Sequence, residues 1–135
     1  MWGLDRYRRE LGWPVDECEG GVVLRLGEGI GAVKFPAGRG RDVITLLRAR
    51  DMLGPVLALP GRQLRWVFLT TPGAPGAGTD RTHLAGARVR STATVALPPA
   101  TTPRGPVRWI VAPPEGLLPR LSVVVTAGWQ AVTVR

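Results

Sequence analysis

The sequence predicts an α+β domain with a mainly antiparallel sheet and flanking helices, and three observations carry that reading. Apolar residues make up 44% of the 135, enough to build a core. Glycine (18) and proline (13) divide the chain into many short elements joined by turns. The elements follow the order helix, hairpin, helix, hairpin, three strands and a terminal element, without strict β/α alternation.

Residues 4–11 come first, as a short helix. Leu4, Tyr7 and Leu11 share one face, while Arg6, Arg8, Arg9 and Glu10 face water. Gly12 ends it and Pro14 prevents its continuation. Gly20-Gly21 opens a β-branched run, Val22 to Leu26, and Gly27 to Gly29 turn the chain into a second run, Ile30 to Phe35. A hairpin between these two is the simplest pairing. The spacing predicts a helix over 40–53, with Asp42 in its first turn, an apolar stripe of Val43, Leu46, Leu47 and Leu53, and Gly54-Pro55 as the stop.

Val56 to Leu59, a Pro60-Gly61 turn and Arg65 to Leu69 form a second hairpin. Residues 71–83 are rich in breakers and read as a loop. Strands recur near 86–90, 93–97 and 107–111. From Leu117 onward the pattern fits both a strand and a helix, and the helical face of Leu117, Leu118, Leu121, Val124 and Val125 tips it to helix. The whole length, 1–135, fits one domain that buries about two-thirds of its unfolded surface.

Charge is unevenly spread. Residues 1–51 hold nine Arg/Lys against eight acids, whereas residues 52–135 hold nine Arg against only Asp80 and Glu115. The second part therefore carries +7 of the net +8. Such a basic half is what a phosphate-binding protein presents. Seventeen arginines against the single Lys34 also follow from GC-rich codon usage, so charge alone leaves both explanations open. No run of about 18 apolar residues exists to span a membrane, and the N-terminus lacks the apolar stretch of a signal peptide. With one cysteine and no export signal, the expectation is a cytoplasmic protein without membrane association.

Chemistry-bearing groups are few. His83 is the only histidine, and no second ligand stands at a metal-binding spacing from it. Cys18 lies between Glu17 and Glu19, whose charge disfavours a reactive thiolate. Asp16-Glu17-Cys18-Glu19 reads as a solvated acidic loop, and Gly27-Glu28-Gly29 as a turn lacking the lysine of a phosphate-binding loop. No catalytic residue, metal ligand or cofactor is expected.

On the basic side, Arg88 and Arg90 are two apart in a strand and so share a face. Arg62, Arg65, Arg104 and Arg108 join them if the strands pair in the expected order. That face either positions phosphates through bidentate arginine contacts or is an ordinary exposed sheet surface. Trp66 and Trp109, each flanked by Val, Ile or Phe, are expected in the core.

Three landmarks resemble, in order and spacing, the bifunctional primase/polymerase domain of bacterial plasmids, phages and actinobacteria. They are Gly12-Trp13-Pro14-Val15 after a short helix, the unit from Ile30 to Phe68, and Val95 to Ala100 with Arg108-Trp109 beyond. The resemblance implies a primase/polymerase-like fold with an RRM-like core. In that family an Asp-x-Asp pair and a third acid hold two metal ions, and a histidine after a Ser-Gly-Gly turn contacts nucleotide phosphates. Here the corresponding strand reads Ala32-Val33-Lys34-Phe35, the third acid aligns with Arg88, and Arg65 falls near the histidine. Cations where carboxylates should stand leave no set of ligands for two divalent ions.

The resemblance thus implies a non-catalytic domain that binds DNA, RNA or a nucleotide through Arg62, Arg65, Arg88, Arg90 and Arg108. The alternative is a protein-interaction or homodimerisation module anchored by Trp2, Trp13 and Trp129. A third, unrelated enzyme built on His83 and Asp80 has no orienting partner by spacing.

Overall fold

Two neighbouring strands that look alike in sequence are sorted into different layers by how many faces they bury. Val22, Leu24 and Leu26 are buried while Gly21, Val23 and Arg25 are only partly so, the alternation of a strand with one face on a core. From Gly31 to Phe35, by contrast, only Lys34 escapes full burial, the mark of a strand covered on both sides. The computed structural model describes residues 2–19, 21–72, 88–90, 93–113 and 118–133.

Within them the elements are α1 (Leu4–Leu11), β1 (Val15–Cys18), β2 (Gly21–Leu26), β3 (Gly31–Pro36), α2 (Ala37–Ala49), β4 (Val56–Leu59), β5 (Arg65–Thr70), β6 (Arg88–Arg90), β7 (Ala93–Leu97), β8 (Thr101–Thr102), β9 (Gly105–Pro106), β10 (Arg108–Val111) and α3 (Leu121–Thr133). All recorded pairings are antiparallel, and the fold is α+β.

A five-stranded sheet in the order β10-β4-β5-β3-β6 forms the middle layer. Helices α2 and α3 cover one face, where Phe35 and Phe68 meet edge-on at 5.4 Å beneath Val43, Leu47, Val124 and Val125. A three-stranded sheet, β1-β2-β7, covers the other with α1, burying Leu24, Leu57, Val67, Leu69, Val95 and Leu97 between the two sheets. The unit β3-α2-β4 is a split β-α-β. Strands β3 and β4 run parallel because both are antiparallel to β5 between them.

The expected hairpin between 22–26 and 30–35 does not form. Gly27 and Gly29, at φ of 95° and 97°, make the turn, and the Gly27 N–H donates to Ile30 at 2.9 Å. The chain then passes between layers: β2 pairs with β1 and β7, and β3 with β5 and β6. The 56–59/65–69 hairpin forms as expected. Helix α2 begins at Ala37 rather than 40, so Asp42 lies beyond its first turn. It ends at Ala49, with Asp51 rather than glycine in the left-handed region, while Leu53 still packs on the helix-side core. The acidic tetrad is not a loop. Asp16, Glu17 and Cys18 belong to β1, paired with β2. The ambiguous tail is helical over Leu121–Thr133.

One side chain joins the layers. Tyr7 of α1 is fully buried and donates its hydroxyl proton to the Pro98 carbonyl at 2.6 Å, beyond β7. The same oxygen accepts from Trp109 Nε1 of β10 at 3.1 Å. Trp2 and Trp13 both stack on the ring, at 5.1 and 5.8 Å, with interplanar angles of 16° and 5°. Trp2 and Trp13 are therefore spent on this cluster, and Trp129 packs against the helix-side core.

Two outcomes follow from this packing. Gly21→Ala should destabilise by about 2 kcal/mol or more, because φ is 128° and the new Cβ would lie 2.8 Å from the Ala100 Cα. A urea midpoint equal to wild type would contradict the close β2–Ala100 approach. Burial also pushes the Tyr7 hydroxyl up to about 12. Its stabilising effect is complete below pH 10, the unfolded value, and is lost as pH rises through 12. As Tyr7 is the only tyrosine, tyrosinate absorbance should titrate near 12 in the native protein and near 10 in urea. A native midpoint near 10 would contradict the burial.

Candidate phosphate-binding end of the sheet

Strand register decides where the basic residues gather. β4 ends at Leu59 opposite Arg65, which begins β5, and Arg65 in turn faces Pro36 at the end of β3. Arg88, first in β6, pairs with Lys34, and Arg108, first in β10, pairs with Ala58. Arg65, Arg88 and Arg108 thus mark one end of the five-stranded sheet, and Arg62 lies in the β4–β5 turn at that same end. Arg90 sits two positions further in, opposite Ala32. Lys34, Arg65 and Arg88 occupy neighbouring register positions on three adjacent strands. Lys34 lies opposite Val67, and Arg65 two residues away is its diagonal neighbour, a separation of about 7–8 Å in such pairs.

By register, these cations gather toward one end of the sheet. Cores on both sides of the middle strands leave room for charge only where the strands begin and stop. Arg65 and Arg108 fall in adjacent cross-strand rows, so alternation puts them on opposite faces of the same sheet end. Arg62 and Arg108 are exposed, and Arg65 is partly so.

The β4–β5 turn is hollow. Leu59, Pro60, Gly61, Arg62, Gln63 and Arg65 line an open cavity of about 350 Å³. Leu59 and Pro60 give it an apolar wall, and the two guanidinium groups and the Gln63 amide supply donors. The β8–β9 hairpin lies beside it: Pro60 Cγ is the atom nearest to where a Gly105 Cβ would stand, at 3.9 Å. Thr102 Oγ1 holds this hairpin, donating to the Gly105 carbonyl at 2.9 Å and accepting from the Arg104 N–H at 3.2 Å. Exposed Arg104 at the tip is thereby carried to the same end. Helix α2 starts there too, its Ala37 N–H donating to the Leu64 carbonyl at 3.1 Å.

The ion pairs among the described residues all lie away from this end. Among the described residues, ion pairs join Arg6 to Glu10 at 2.9 Å and Arg25 to Asp16 and Glu28 at 2.5 and 2.6 Å. Those two carboxylates raise the Arg25 pKa. All these groups belong to α1, to the three-stranded sheet or to the turn after β2. No ion pair among the described residues involves Arg62, Arg65, Arg104 or Arg108.

No group of three or more His, Cys, Asp or Glu residues able to hold a metal occurs among the described residues. Asp16, the first acid of the tetrad, is instead engaged by Arg25. His83, Asp80 and the 73–83 part of the expected loop lie outside the described residues, as do 86–87 of the strand expected at 86–90. Trp66 and Trp109 pack against the two cores as expected, so neither is a free stacking platform. No helix among the described residues is long and apolar enough to cross a membrane. No family model, known protein or solved structure compared with the chain matches it.

Proposed function

We propose that this chain is a non-catalytic, primase/polymerase-like domain that binds nucleic acid or a nucleotide through phosphate contacts at the basic end of its larger sheet. The observation that carries the reading is the gathering at one sheet end of Arg62, Arg65 and Arg108, which make no ion pair among the described residues, the first two lining a cavity. Arg62, Arg65 and Arg108, with Arg88 and Arg90 of β6, are the proposed contacts, and Arg104 adds a sixth cation nearby. Uncompensated guanidinium groups attract phosphate and order it by paired hydrogen bonds. Arginine against phosphate gives affinity without base readout, so binding is expected to depend weakly on sequence.

The split β-α-β unit and the strand order β4-β5-β3-β6 support the RRM-like part of the reading. Lys34 and Arg88 facing each other in register support the non-catalytic part, since paired cations oppose divalent ions. The homodimer alternative draws little from the edge strand β10. Ile110 is 41% exposed there, but a register shift between Trp109 and Val111 and the charge of Arg108 both discourage strand addition.

Anisotropy with a labelled oligonucleotide at rising salt tests the proposal. The double variant Arg62→Ala/Arg65→Ala should flatten the log–log salt slope by about 2. No binding by the wild type at low salt, or a slope near zero, would overturn it. A primed template with Mg²⁺ or Mn²⁺ and nucleotides should give no extension. Robust extension that is lost on changing Glu17 and Glu19 would remove the non-catalytic part.

A further inference from the structure

Resting on that reading, we infer that the ligand is a polynucleotide rather than a single nucleotide, held along a second track formed by Arg41 and Arg48 on the solvent side of α2. Gly38, Arg41, Thr45 and Arg48 are all exposed and recur at intervals of three and four, so they form one stripe along the helix. No acid interrupts the stripe. The acid within α2 is Asp42, which is half-buried, and Asp51 lies beyond its end. Among the described residues no ion pair engages Arg41 or Arg48, in contrast to Arg6 and Arg25.

The track is continuous with the sheet end, because the first residue of α2 hydrogen-bonds to the β4–β5 turn that carries Arg62. Seven helical residues advance about 10 Å. That span exceeds one phosphate interval of a nucleic-acid strand, so Arg41 and Arg48 meet different phosphates. The phosphate chain of a lone nucleotide is shorter than the Arg41–Arg48 span, whereas a strand running from the turn along α2 supplies a phosphate at each. Complementary charge over this length selects a phosphodiester chain.

The test compares wild type, Arg41→Ala/Arg48→Ala and Arg62→Ala/Arg65→Ala in the full chain, using short duplex DNA, ATP and poly-aspartate as probes. Seven phosphate contacts, five at the sheet end and two on α2, predict a wild-type salt slope of about −6, against −4 to −5 for the sheet end alone. The α2 variant should lower duplex affinity about tenfold or more and flatten the slope by about 2, with an unchanged circular dichroism spectrum. Alanine at these exposed helical positions favours folding, so a loss is not explained by collapse of α2. An unaltered slope in the α2 variant, alongside a flattened one for Arg62/Arg65, overturns the track and leaves the proposed function standing. Efficient displacement of duplex by ATP, or by poly-aspartate at equal charge, also overturns it. A wild type that binds no duplex at low salt removes both readings.

Discussion

The Tyr7 hydroxyl is the point at which the layers of this protein are tied together. A short helix delivers it, the chain beyond β7 accepts its proton, and the indole of a strand in the other sheet donates to it. Because the phenol is buried, removing its hydroxyl takes a hydrogen bond from both the Pro98 carbonyl and the Trp109 N–H, at a cost of about 1–3 kcal/mol. Stacking by Trp2 and Trp13 completes the cluster and uses aromatic surface that would otherwise stand at the rim. The smaller sheet is thereby held on the larger one, and one face of the middle strands is closed. With α2 and α3 closing the other, the charge carried by the larger sheet gathers at its strand ends.

That placement explains how the arginines are sorted. On the α1 side and in the three-stranded sheet, acids were available, and Arg6 and Arg25 are neutralised by near neighbours. At the far end of the larger sheet the turns and strand starts supply Arg62, Arg65, Arg104 and Arg108 with no carboxylate in reach among the described residues. Exposed ion pairs contribute little to stability. Their absence at one end therefore costs the fold little while leaving a positive field there. Such a field concentrates phosphate and speeds its encounter, and it weakens as salt rises.

The local signals were legible in the sequence, and the layer assignments were not. Gly12 announced the end of α1, the 56–59/65–69 hairpin had its turn residues in place, and the apolar stripe of the tail indicated helix. The 22–26/30–35 pairing failed because turn chemistry reports a reversal and not which sheet the chain enters next. The distinction lay in burial. Val22 to Leu26 alternates after folding, but its sequence is nearly as apolar as that of β3, so one covered face and two covered faces looked the same. The acidic tetrad was misread for a related reason. Its strand character comes from pairing with β2 and from Arg25, not from its own propensity. For the site, residue type was readable as a charge imbalance, but convergence needed the register. Arg65 and Arg88 are 23 positions apart and come to the same end of one sheet only because β3 pairs with both β5 and β6.

The account rests on phosphate settling at the end of the larger sheet and not on the acid-paired side. Mapping amide chemical shifts while titrating a short duplex tests this most directly, since it locates contact without altering a residue. The account predicts perturbation concentrated at 61–65, at the β8–β9 hairpin and along the outer side of α2, with α1, β1 and β2 unmoved. Shifts centred on β1 and β2, or none at saturating duplex in low salt, would contradict it.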